Sequence, residues 1–377
     1  MSREVVIVQR RLTNYRVPLF GLMRERLAEH GVRLRVLHGV ATTEELLRED
    51  TGVLEWAEHL PTRYFAAGQV CWQPFMQLAR GSDLIIVTQE NKLIHNLPLL
   101  LMPARRERVA FWGHGRNLQS ESFEGLRESF KRWTTGRVDW WFAYTKLSAS
   151  IVEAAGFPQE RITVLDNSID TTELLRDVAE ARSRSTLAAL RASFGLEDAP
   201  TGLFVGSLYG SKRLPFLLEA AEELGRRVPG LQLAIAGAGP EEALVRAAAS
   251  RNPRIRFLGR VGGRRKAELL ACADVLMNPG LVGLGILDAF AAGLPLVTTD
   301  CQLHSPEICY LQDGVNSFVT ADRLTDFAAT CETLLRDLPL RQRVGRQALH
   351  SASHYSLENM AQRFSNGVVS CLEHSAR

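Results

Sequence analysis

The run Val205-Gly206-Ser207-Leu208-Tyr209-Gly210-Ser211-Lys212-Arg213 gathers residue types suited to holding an anion. Its two glycines let backbone amides approach a charged group. The helix that follows adds a partial positive charge, and Lys212 and Arg213 add full ones. This is chemistry for a diphosphate; the plainer alternative is a solvated basic loop at a helix start. A second loop, Gly237-Ala238-Gly239-Pro240-Glu241-Glu242, begins like a dinucleotide fingerprint. Glu242 stands where a third small residue belongs, and no acid ends the next strand, so a dehydrogenase site does not follow. A turn beside a nucleotide and a purely structural turn both remain open there. A third loop, Pro279-Gly280-Leu281-Val282-Gly283-Leu284-Gly285, leads into a helix carrying Asp288. Its amides suit a phosphate, and Asp288 suits either ribose hydroxyls or the helix dipole.

In the first half, His114 lies between Gly113 and Gly115. Arg10, Arg11, Asn14, Tyr15 and Arg16 follow the first predicted strand as a basic loop. Arg127, Lys131, Arg132, Trp133 and Arg137 precede Trp140 and Trp141. The cations suit anionic lipid headgroups, while the paired tryptophans read better as a buried strand. Lys plus Arg total 45 against 42 Asp plus Glu, so a net charge of +3 gives no global case for nucleic acid. The six cysteines form no Cys-x-x-Cys pair, which indicates neither a zinc site nor a disulfide framework and fits a reducing compartment. The N-terminal apolar run is too short for a signal peptide, and the run Leu97–Met102 is broken by Pro98. The expectation is a cytoplasmic protein.

These loops need a scaffold. Short β-rich runs alternate with helical patterns: Glu4–Val8, Arg33–His38, Leu84–Thr88, Val109–Gly113, Asp139–Tyr144 and Ile162–Leu165, then Gly202–Gly206, Leu231–Ala236, Ile255–Leu258, Val275–Asn278 and Leu296–Thr299. Most lack inside/outside alternation, as parallel strands covered on both faces do. Leu214, Leu217, Leu218, Ala221 and Leu224 make one stripe at helical spacing. The order predicts two doubly wound α/β domains, residues 1–172 and 201–350, with a polar linker at 173–200. Ligands of such sheets bind at the strands' carboxyl ends, which in two tandem domains predicts a central cleft. The helical stretch Leu357–Glu373 is expected to pack back on the first domain.

Together the motifs resemble the retaining family 4 glycosyltransferases of the GT-B fold, two Rossmann-like domains facing a central cleft. Gly206 to Lys212 with Arg213 resembles that family's phosphate loop, and Gly237-Ala238-Gly239-Pro240 its Gly-x-Gly-Pro turn. Phe257-Leu258-Gly259-Arg260-Val261 is similar to the segment bracketing the base, and Asp288 to Val297 to the helix and strand after the second paired acid. Pro306-Glu307-Ile308 and Asp313-Gly314 resemble the next loop, and Gly113-His114-Gly115 the loop with the active-site histidine. Asn167-Ser168-Ile169-Asp170 resembles the segment entering the linker, and Asn14 to Phe20 resembles members that build bacterial surface polysaccharides. Two positions depart: Gly280 stands at the first acid, and Ser207 where an arginine is usual.

The resemblance implies sugar transfer from a nucleotide-sugar to a hydroxyl of a glycan or lipid-linked acceptor, with retention and without metal or other cofactor. It assigns catalysis to His114, Lys212 and Arg213. Donor binding falls to Gly206, Ser207, Gly239, Arg260, Val261, Gly283, Leu284, Asp288, His304 and Glu307. Arg11, Asn14, Tyr15 and Arg16 face the acceptor. Peripheral contact with the inner face of the cell membrane and no nucleic-acid partner complete the expectation. A nucleotide-sugar epimerase, or a binding protein of the same fold without turnover, is the alternative.

Overall fold

The computed structural model describes residues 3–46, 49–90, 92–102, 105–115, 133–183 and 187–374. Arg127, Lys131 and Arg132 lie outside the described residues. The chain divides into two units, Met1–Asp170 with Leu357–Arg377, and Thr171–Ser356.

The first unit is built on β1 (Arg3–Gln9), β2 (Val32–His38), β3 (Glu58–His59), β6 (Leu84–Thr88), β7 (Arg108–Gly113), β8 (Trp140–Ala143) and β9 (Ile162–Val164). They pair in the order β3-β2-β1-β6-β7-β8-β9, every pair parallel. A small antiparallel pair, β4 (Arg63–Phe65) and β5 (Val70–Trp72), stands apart. The apolar run Val5–Val8 is buried throughout because both sheet faces are covered. Val5 and Ile7 join one core with Trp112, Trp140 and Phe142, and Val6 and Val8 join the other with Phe111 and Trp141. This two-residue alternation also seats the paired tryptophans in β8. The final helix, Leu357–Glu373, puts Met360, Phe364 and Val368 into the first of these cores. Phe364 stacks on Phe142 with ring centres 4.4 Å apart.

The second unit contains β10 (Thr201–Val205), β11 (Gln232–Ala236), β12 (Ile255–Phe257), β13 (Val275–Met277), β14 (Leu296–Thr299) and β15 (Ser317–Thr320). Their order is β12-β11-β10-β13-β14-β15, all parallel. The helix Leu214–Arg227 buries Leu214, Leu217, Leu218, Ala221 and Leu224, the stripe its spacing predicts. The polar stretch expected as a linker is largely helical, at Thr172–Ser183 and Leu187–Ser193. It belongs with the second unit, burying Val178 and Ala181 and pairing Glu180 with Arg264 at 2.5 Å.

Three features went unanticipated: β3, the β4–β5 pair and β15. β3 is two polar residues long and is a strand only through its pairing with Leu37 and His38. In both sheets the strand order reverses beside the first strand, so loops after β10 and β13 flank one switch point and loops after β1 and β6 the other.

Candidate functional site

In the second unit the two loops at the switch point are fastened to each other. The Leu281 amide donates to Ser211 O at 2.8 Å, and the Lys212 ammonium donates back to Leu281 O. Gly280 makes this approach possible. A Cβ there would lie 2.4 Å from Ser211 O and 2.5 Å from the Lys212 carbonyl carbon. The absence of the family's first acid at this position thus has a steric reason, since no side chain fits. Next to it, the amides of Gly283, Leu284 and Gly285 open the helix Gly285–Ala292 and have no acceptor among the described residues.

Lys212 is half-buried, and no carboxylate among the described residues pairs with it. Burial pushes its ammonium down to about 8. Arg213 differs: it pairs with Asp322, donates to Thr299 Oγ1 at 3.1 Å and lies over the Phe216 ring. Its backbone is left-handed, φ 57°, at the start of the helix Leu214–Arg227. The Gly206 amide, expected to face an anion, donates to Ala236 O at 3.0 Å instead. Ser207 is exposed beside it. Gly237 and Gly239 hold the next loop against this one: a Cβ on Gly237 would sit 1.8 Å from Gly206 O, and one on Gly239 2.6 Å from Leu208 O.

His304 is buried and uses both ring nitrogens within the protein. Nδ1 accepts from the Val282 amide at 3.2 Å, so Nε2 carries the proton and donates to Thr299 O at 2.7 Å. The ring therefore braces the loop that presents the helix amides. Asp288 pairs with Lys266 at 2.7 Å, and Glu307 is buried. Arg260 and Val261 border an open cavity of about 390 Å³ together with Leu258, Gly262, Phe194 and Arg265. Among the described residues no group of three or more His, Cys, Asp or Glu is placed to hold a metal ion.

In the first unit, His114 is exposed after β7, its ring edge-on to Tyr144 at 4.2 Å. Arg11 is bound by both oxygens of Asp50, at 2.6 and 2.8 Å, and Arg10 by Glu45 and Glu90. Arg11 is thus paired with a carboxylate of its own unit. Asn14 and Tyr15 are exposed, and Arg16 is buried with its guanidinium donating to Asn167 Oδ1 at 2.7 Å.

Comparison with known proteins bears on the second unit. Residues 199–337 match the model of the family described as glycosyl transferases group 1. Over those residues the second unit is similar to group 1 glycosyltransferases. An alpha-D-kanosaminyltransferase of Streptomyces kanamyceticus is 30% identical over 187 residues, 47% of this chain and 47% of that protein. A phosphatidyl-myo-inositol mannosyltransferase of Mycobacterium leprae is 30% identical over 173 residues, 43% of this chain and 44% of that protein. The chain thus spans about half the length of the curated relatives it matches. The crystal structure of Anabaena HepE in complex with UDP superposes with a TM-score of 0.72 at 17% identity, covering 97% of this chain and 100% of that one. With two parallel α/β sheets, the chain has the GT-B fold.

Within the second unit the fold fastens the loop of Lys212 and Arg213 to the loop that leads to Gly283 and Leu284, far apart in sequence. Sequence reasoning missed Asp322, Lys266, Thr299, Ser305 and Phe194. Ser305 Oγ lies 3.2 Å from where a Gly283 Cβ would stand. None of these five carries a local signal, because each acts on a partner in another element. In the first unit, Glu45, Asp50 and Glu90 were missed as the counter-charges that silence Arg10 and Arg11.

Proposed function

We propose that the chain moves a sugar from a nucleotide-sugar donor to an acceptor hydroxyl, with retention of anomeric configuration and without a metal ion. The observation that carries this reading is Lys212, a half-buried cation with no carboxylate partner among the described residues, set beside the helix amides of Gly283 and Leu284. A site so built gains an anion that restores the cation's lost solvation. As the bond to the anomeric carbon breaks, negative charge grows on the leaving diphosphate. A fixed ammonium and fixed amides aimed at that charge lower the barrier without reorganising. They supply the positive potential a metal would otherwise give. Asp288 is assigned to ribose hydroxyls and the cavity by Arg260 and Val261 to the base. His114 is assigned to a donor-sugar hydroxyl, and the leaving phosphate assists removal of the acceptor proton. HepE was crystallised with UDP, which makes UDP the first nucleotide to test. The acceptor is assigned to a glycan or lipid-linked molecule of bacterial glycoconjugate synthesis, met at the cytoplasmic membrane face.

The test is calorimetric titration with UDP and GDP sugars, followed by turnover on glycan acceptors with and without EDTA. Lys212→Ala should lower donor affinity at least tenfold with the fold intact by circular dichroism. Equal affinity in that variant removes the site. A binding protein without turnover is the second reading, favoured by the close packing at Gly280; tight donor binding with no sugar transfer to any acceptor would select it.

A further inference from the structure

Three arginines follow β1, and the structure treats them differently. Arg10 and Arg11 are neutralised by Glu45, Glu90 and Asp50. Arg16 is 5% exposed and has no carboxylate partner among the described residues. Its guanidinium meets Asn167 Oδ1 at 2.7 Å and the Met360 sulfur at 3.8 Å. Around it stand the rings of Trp112, Tyr15 and Tyr144, with centres 4.9, 5.1 and 5.6 Å from the guanidinium carbon. Aromatic faces and one amide oxygen offset only part of the cost of burying a full charge. The indole N–H of Trp112, whose ring borders the guanidinium, is buried and has no acceptor among the described residues. Tyr15, 38% exposed, is the wall that meets solvent. Tyr144 also meets His114, edge-on with ring centres 4.2 Å apart. A sequestered guanidinium with no carboxylate partner among the described residues is matched to a phosphate, which takes up its fork geometry and its charge.

We propose that Arg16 anchors a phosphate group of the acceptor, placing it one aromatic ring away from His114. The word acceptor rests on the transferase reading; the anion site itself is built within the first unit alone. The phosphate can belong to a soluble phosphate ester or to a lipid headgroup.

The experiment uses the full chain carrying Lys212→Ala, which disables the anion site of the second unit, titrated with inorganic phosphate against chloride at equal ionic strength. Phosphate binding that weakens at least tenfold when Arg16→Gln is added, and in part recovers with Arg16→Lys, is the expected result. Unchanged phosphate affinity in a folded Arg16→Gln chain, or no phosphate binding by the Lys212→Ala chain, overturns the proposal. If Arg16→Gln does not fold, Trp112→Phe, which removes the indole N–H and shrinks the ring, replaces it. A loss of at least threefold then supports the site, and equal affinity overturns it. Competition by glycerol 3-phosphate identifies a soluble ester, and competition by phosphatidylglycerol vesicles alone identifies a headgroup. Competition by neither overturns the proposal. UDP titration of the chain with Lys212 intact judges the donor reading separately, because its failure leaves the phosphate result of the first unit standing.

Discussion

A lysine held half-buried against a carbonyl keeps its charge only while the surroundings favour it, and Lys212 is poised at that limit. Its folded value of about 8 is below the 10.5 usual for a lysine. Below pH 8 the native and unfolded chains are both protonated there, and the burial cost is fully present. Between pH 8 and 10.5 the unfolded chain binds more protons than the native one, so this group makes stability rise with pH across that window. Under the proposed function UDP binding would run the opposite way, because it would need the cation. Its affinity is expected to fall roughly tenfold per pH unit above about 8. Lys212→Arg should flatten that profile, since a guanidinium stays charged. Lys212→Met should raise Tm at pH 7 while removing UDP binding. Calorimetry and thermal melts across the pH range check both signs. His304 belongs to the same scale: His304→Ala leaves the Val282 amide and Thr299 carbonyl without their partner. The expected cost is about 1–3 kcal/mol, read from denaturant melts, together with weaker donor binding.

At the scale of elements, the second unit's site is a junction of two loops that only glycine permits. Gly280→Ala places a methyl group within 2.4 Å of Ser211 O, so the loop carrying Lys212 must shift. A destabilisation of about 1–3 kcal/mol and a clear loss of UDP affinity are expected. Gly280→Glu, which writes in the acid usual for this family, should lower turnover further rather than raise it. A gain of activity in that variant would refute the steric account. The helix Leu357–Glu373 makes the same point about chain connectivity. It comes last in sequence yet completes the core of the first unit, where Phe364 is fully buried against Phe142. Phe364→Ala should cost about 3–5 kcal/mol by chemical denaturation.

For the whole molecule, the division into two units predicts separable behaviour. A fragment of residues 171–356 holds its own sheet, core and loop junction. It should fold by circular dichroism and bind UDP within about tenfold of the full chain; a fragment that folds and fails to bind would place the nucleotide elsewhere. Much of this architecture was legible in the chain itself. Parallel strands covered on both faces must be apolar runs, and glycine loops before helices announce free amides, so eleven main strands and the glycine loop before the helix Gly285–Ala292 stood out locally. Short strands such as β3 did not, because pairing rather than composition makes them strands. The charge state of each cation was also beyond local reading. Arg10, Arg11, Arg16, Lys212 and Arg213 look alike as basic residues beside loops. Only tertiary structure set Asp50 against Arg11 and Asp322 against Arg213, and left Arg16 and Lys212 without a counter-charge among the described residues. Sequence determined which segments could form elements, through periodicity and turn chemistry acting over a few residues. The fold decided which charges remain available, because electrostatic pairing depends on distance in space, and the partners lie tens to more than a hundred residues away along the chain.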